Sequence, residues 1–134
     1  MSGETDLACL LQDISPRLDS TPVVFCSLDK PLSACLDYEP IATMVEKEGL
    51  TLVVTKACAD KHQLEYSCVM HKITLEVHSS LLAVGLTAAF ARALTAENIS
   101  ANVIAGFYHD HIFVPENHAE QALRCLQALS KAQS

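Results

Sequence analysis

Apolar residues recur along the chain with two periods, and the switches between them mark out the elements. Leu7, Leu10, Leu11 and Ile14 keep helical spacing, so a short amphipathic helix is predicted, ended by Pro16. Pro22–Leu28 is β-rich and bounded by turn residues, which reads as a buried strand. Asp29–Tyr38 contains Pro31, Ser33 and Asp37 and reads as a loop. A helix is predicted from Pro40, with Ile41, Met44 and Val45 on one side and Gly49 as its stop. Proline costs nothing in a first turn, and glycine suits a C-terminal cap. Leu50–Thr55 is the next strand, and Ala57–Gln63 holds a helical turn or more.

The second half is more regular. Val69, His71, Ile73, Leu75 and Val77 alternate with Met70, Lys72, Thr74 and Glu76, the period of a strand with one buried face. Ser79 and Ser80 offer N-cap hydroxyls. Leu82, Leu86, Ala89, Phe90 and Ala93 then keep helical spacing to about Thr95, with Asn98 at a left-handed cap position. Strands at about 100–106 and 110–114 are joined through Phe107-Tyr108-His109. Pro115 opens a last helix with Ala119, Ala122, Leu123, Leu126 and Leu129 as its stripe. Strand, helix, strand, strand, helix is the split βαβ order. The expected class is α+β, ferredoxin-like, with an antiparallel sheet and helices on one face. A complete βαββαβ set needs one more strand, expected from the N-terminal half, at Val23–Leu28 or its neighbour. A faint internal repeat lays Glu48–Val54 on Glu97–Val103, each read as a helix turning into a strand at a residue that tolerates positive φ.

Composition narrows the function. Half of the 134 residues are hydrophobic and only 5% aromatic, so the core must be aliphatic. Sixteen acidic against nine basic residues give a net charge of −7. That balance disfavours nucleic acid, which needs clustered Lys and Arg, and disfavours an anionic membrane surface. No apolar run approaches the ~18 residues of a membrane-spanning helix. Met1–Asp6 is acidic and lacks the basic start of a signal peptide, so a cytoplasmic location with reduced cysteines is expected. The six cysteines contain no C-x-x-C pair and read as small buried hydrophobes.

The segments His78–Ala89 and Ile99–Pro115, with the runs GLTAAFA (Gly85–Ala91) and ISANVIAGFYHDHIFVP, resemble ACT domains, the regulatory amino-acid-binding modules of biosynthetic and sensing proteins. The first half resembles them more weakly, through EKEGLTLVV. The match is similar to small stand-alone bacterial proteins with two tandem ACT-like halves and to the ACT pairs of CASTOR-type arginine sensors. It implies a divergent N-terminal half over 1–64 and a C-terminal ACT domain over 65–134. It also implies a non-catalytic regulatory module that binds an amino acid or similar metabolite at an interface between ACT modules. Such proteins assemble as homo-oligomers, so a dimer or tetramer is expected.

By that resemblance the ligand would meet Ser79, Ser80, Val84, Gly85 and Leu86, where backbone N–H groups at a helix start suit a carboxylate. Asn102, Val103 and Ile104 would offer strand carbonyls to its ammonium group, with His109 and His111 lining the site. The bland alternative is that the serines only cap a helix and Gly85 only packs. His109 and His111 share one strand face and are half of a conceivable metal site, completed by His71, His78 or Cys68. His71 is expected to be a satisfied core histidine, and His62 and His118 carry no signal. No nucleophile elbow, phosphate loop or G-x-G-x-x-G is present, so no enzyme and no cofactor is expected. A structural ACT module that holds no ligand is the main alternative.

Overall fold

The computed structural model describes residues 11–76 and 85–132. Its elements are β1 (Arg17–Leu18), β2 (Val23–Leu28), β3 (Ala42–Glu46), β4 (Gly49–Thr55), α1 (Lys56–Lys61), β5 (Val69–Leu75), α2 (Leu86–Ala96), β6 (Asn102–Ala105), β7 (Asp110–Pro115) and α3 (Ala119–Lys131). Short 3-10 turns stand at Leu32–Ala34, Leu36–Tyr38 and Glu116–His118. The chain forms two compact units: residues 21–70, and the described residues up to Ser20 together with those from His71 onward. The division falls inside β5, between Met70 and His71.

In the 21–70 unit β4 lies between β3 and β2, and β2 also pairs with Val69 and Met70. The β2–β4 ladder runs antiparallel from Val23 opposite Thr55 to Leu28 opposite Leu50. Alternation turns Val24 and Cys26 to the same side as Leu50, Leu52 and Val54, where they pack with Cys35 and Ala59. Thr55 starts α1 by accepting the Cys58 N–H on its hydroxyl at 3.1 Å. Asp60 then takes Lys56 at 2.8 Å and the Tyr66 hydroxyl at 2.7 Å.

The helix predicted from Pro40 is absent. Residues 42–46 are instead β3, in a hairpin with β4 through Lys47-Glu48. Ile41, Met44 and Val45 match a helical stripe by spacing, yet all three are exposed, and β-branched Thr43 and Val45 fit a strand. Gly49 is not a helix stop but the first residue of β4, at φ 155°, where a Cβ would stand 3.0 Å from the Leu28 carbonyl oxygen. The internal repeat is therefore a likeness of sequence: one copy is a hairpin, the other a helix-to-strand junction.

The other unit has the split βαβ order as expected, with helices on one face. α2 and α3 bury Leu86, Phe90, Leu94, Ala122 and Leu126 against Ile73 and Leu75 of β5 and Ile112 and Val114 of β7. Leu11 and Ile14 join this core, as their spacing predicted, whereas Leu7 and Leu10 lie outside the described residues. β6 pairs antiparallel with β7, and β7 neighbours β5. The fourth strand is supplied by the neighbour of β2: Arg17 and Leu18 of β1 pair antiparallel with Thr74 and Ile73.

α2 ends as predicted. Asn98 adopts φ 60°, the Asn98 N–H donates to Thr95 O, and the Ile99 N–H donates to Leu94 O. That is a Schellman closure, with the customary apolar contact between buried Leu94 and Ile99. The Cys125 thiol donates to Ala93 O at 3.3 Å across the two helices, and burial pushes it up to about 11. Pro115 leads through the 3-10 turn into α3, which buries Ala119, Ala122, Cys125 and Leu126.

Candidate functional site

The sheet face away from α2 and α3 carries a row of polar side chains. On β5, Ile73 and Leu75 point to the helices, so Lys72, Thr74 and Glu76 belong to the opposite face. On β7, Ile112 and Val114 point to the helices, which leaves His111 and Phe113 on that opposite face. His111 Nδ1 and Thr74 Oγ1 are hydrogen-bonded at 3.0 Å. Burial lowers the His111 pKa, and the nearby Lys72 and His109 lower it further, so its neutral form is favoured. Burial raises the pKa of neighbouring Asp110.

Glu76 connects the row to β1. Its carboxylate pairs with Arg17 and stands 3.7 Å from His109 Nδ1, and its backbone N–H donates to Ile14 O at 2.7 Å. The His109 and His111 rings lie 6.4 Å apart and edge-to-face. Among the described residues His109 Nδ1 is buried without a hydrogen-bond partner. Gly106 makes this geometry possible: its N–H donates to His109 O at 2.8 Å, and a Cβ there would come within 2.9 Å of that same oxygen. Phe107 and Tyr108 form the exposed tip of the hairpin.

His71 is satisfied as expected, but partly buried rather than in the core. Its ring nitrogens meet Asp19 O at 3.0 Å and a Glu116 carboxylate oxygen at 3.1 Å. Among the described residues no three His, Cys, Asp or Glu side chains are grouped to hold a metal ion. His78 lies outside the described residues.

The hairpin brings several of the sequence-predicted residues together. Ile104 is the register partner of His111, Val103 of Ile112, and Asn102 of Phe113. The Asn102 side-chain amide donates to Phe113 O at 3.4 Å. Ser79, Ser80 and Val84 lie outside the described residues. The N-cap of α2 is Gly85, at φ 91° and without a side-chain cap, rather than a serine. The first intrahelical bond runs from Ala89 N–H to Gly85 O, so the N–H groups of Leu86, Thr87 and Ala88 have no partner within the helix. The Leu86 side chain is in the core, which leaves only its backbone to meet a ligand.

Thr74 and Glu76 were not singled out from sequence. Alternation alone places them on the face of β5 opposite Ile73, but only the long-range pairing of β5 with β1 and β7 reveals their partners. A cavity of about 290 Å³ in the 21–70 unit, lined by Tyr38, Glu39, Cys58, Lys61 and His62 among others, was also not foreseen. Tyr38 and His62 form one wall, with ring centroids 4.9 Å apart.

Two family models match the chain, both described as ACT domain, over residues 2–71 and 68–128. The chain belongs to the ACT-domain family. It is 52% identical to a crystallised Vibrio cholerae protein of unknown function, described as a possible transport protein, over 96% of this chain and 99% of that one, with a TM-score of 0.87. The regulatory subunit of aspartate kinase from Thermus thermophilus aligns over 87% of this ACT protein and 97% of its own chain, at 13% identity and a TM-score of 0.62. An Agrobacterium tumefaciens protein aligns over 87% and 89% at 15% identity, with a TM-score of 0.66. At those identities the last two likenesses speak for the fold alone. No functionally curated protein matches the chain. Among the described residues no helix is long and apolar enough to cross a membrane.

Proposed function

We infer that this ACT pair is a non-catalytic regulatory module that binds an amino acid or a similarly small metabolite, working as a cytoplasmic homo-oligomer. The observation that carries the reading is the tandem of ACT-domain matches that together span residues 2–128. The chain also shares its fold with a regulatory subunit of aspartate kinase. The α2 N-terminus adds a physical reason, since amides without intrahelical acceptors and the helix dipole favour a carboxylate.

In this reading Ser79, Ser80, Val84, Gly85 and Leu86 receive the carboxylate through backbone N–H groups and hydroxyls. Asn102, Val103 and Ile104 supply carbonyls for the ammonium group, and neutral His111 with His109 faces the side chain. A thermal-shift screen of the full chain against the twenty amino acids tests the proposal. A rise in melting temperature that grows with ligand concentration is expected for one or a few of them. Replacing His111 should change which ligands are preferred. A flat response to every amino acid would favour the alternative, an ACT module that only builds an assembly.

A further inference from the structure

Two short segments build the cavity of the 21–70 unit, and the chain pins them together. One is the 3-10 turn Leu36–Tyr38, where the Tyr38 N–H donates to Cys35 O at 3.1 Å. The other is α1, begun by the Thr55 cap. The Cys58 thiol of α1 donates to Tyr38 O at 3.5 Å and ties the helix to the turn. His62 stands one turn beyond Cys58, with its N–H donating to Cys58 O at 3.0 Å. The His62 and Tyr38 rings both line the cavity and meet at an interplanar angle of 55°, as a corner rather than a stack.

Charge enters this cavity unevenly. Asp37 and Glu39 bring two carboxylates to the lining and Lys61 one ammonium group, and among the described residues none of the three is in an ion pair. Glu39 stands there against its local preference. It has φ 47° and ψ 57°, the left-handed region that a Cβ disfavours, and it precedes Pro40, which pushes its neighbour toward extended backbone. Glycine would fit that backbone better, so what glutamate adds is a carboxylate at the cavity. Among the described residues no three His, Cys, Asp or Glu are grouped to hold a metal ion, so an inorganic cation fits poorly. Ring faces beside carboxylates suit an organic cation instead, because the face of an aromatic ring attracts positive charge. The field of a chain with net charge −7 also favours the approach of a cation.

We propose that this cavity binds a small primary amine with a compact apolar body. Asp37 and Glu39 hold its ammonium group, and the body lies in the corner of Tyr38 and His62. A primary ammonium has N–H donors enough to serve both carboxylates. About 290 Å³ leaves room for a benzene-sized body and its amine. Lys61 stands outside the binding set: it is exposed on a flexible stem, and its charge turns to water when a cation enters. The cavity shares no residue with the set proposed for the amino acid, so either reading can fail without the other.

The test is an NMR titration of the full chain, followed at backbone amides, with benzylamine as probe and benzoate as its counterpart of opposite charge. Benzylamine should shift the amides of Tyr38, Glu39, Cys58 and His62 saturably, with benzoate ~10-fold weaker there by reversal of the charge contacts. Glu39→Gly should melt no lower than the wild type and yet bind benzylamine ~3-fold more weakly, the worth of one exposed charge contact. Glu39→Gln, which keeps the backbone, should weaken binding alike. Lys61→Met should bind benzylamine as tightly as the wild type or more so. No saturable shift at these residues, or benzoate equal to benzylamine, would overturn the proposal. Unchanged affinity in both Glu39 variants would do the same. So would a loss of binding in Lys61→Met, which would give the cavity to an anion or a zwitterion.

Discussion

The two compact units share a strand order and differ in how they cover it. One reads β3-β4-β2-β5 and the other β6-β7-β5-β1, each with a hairpin on one side of two further strands. The unit that holds β1 and the residues from His71 onward covers its sheet with helices α2 and α3, and Phe90, Leu94 and Leu126 lose all exposure. The 21–70 unit has a six-residue helix and two 3-10 turns instead, and Leu36, Met44 and Val45 stay exposed. The same architecture thus yields a densely buried body in one place and exposed apolar side chains in the other.

That contrast sets the size of the mutational effects. Phe90→Ala should cost ~3–5 kcal/mol in urea unfolding, by losing a fully buried ring and leaving a cavity. Val45→Thr, at an exposed site, should stay within about 0.5 kcal/mol in the same measurement at low protein concentration. Equal losses would break the comparison. Gly106→Ala should cost ~1–3 kcal/mol, since the new Cβ must push the His109 carbonyl out of the closing pair.

Titration offers a smaller, directional effect. The His111 pKa is lowered from 6.5 in the folded protein, so the unfolded chain takes up this proton first as pH falls. The contribution is fully present above pH 6.5 and is lost as pH falls from there toward the folded value. His111→Asn should therefore flatten the fall in stability below pH 6.5, measured by thermal melts across pH. At Asn98, held at φ 60°, Gly should raise stability by up to ~1 kcal/mol in chemical denaturation, and Ala should lower it by ~1 kcal/mol.

The same contrast explains what could be read from the sequence. In the well-covered unit, long periods over Val69–Leu75 and Leu86–Ala96 reported burial directly, and Asn98 announced the end of α2. In the open unit, Ile41, Met44 and Val45 follow no core, so their helical spacing misled. The hairpin had no Asn-Gly signal at Lys47-Glu48, and its unusual φ falls one residue later, on Gly49. The hairpin that sets His111 opposite Ile104 was legible because it is local. Thr74 was not, because its partner His111 is 37 residues away and only the ladder order brings them together.

Isothermal titration of the full chain with each of the twenty amino acids tests the central claim most directly. Saturable heat with at least one of them, at a fixed stoichiometry per chain, is the expected result. No heat with any, from protein whose folding is confirmed by a cooperative melt, would contradict the account.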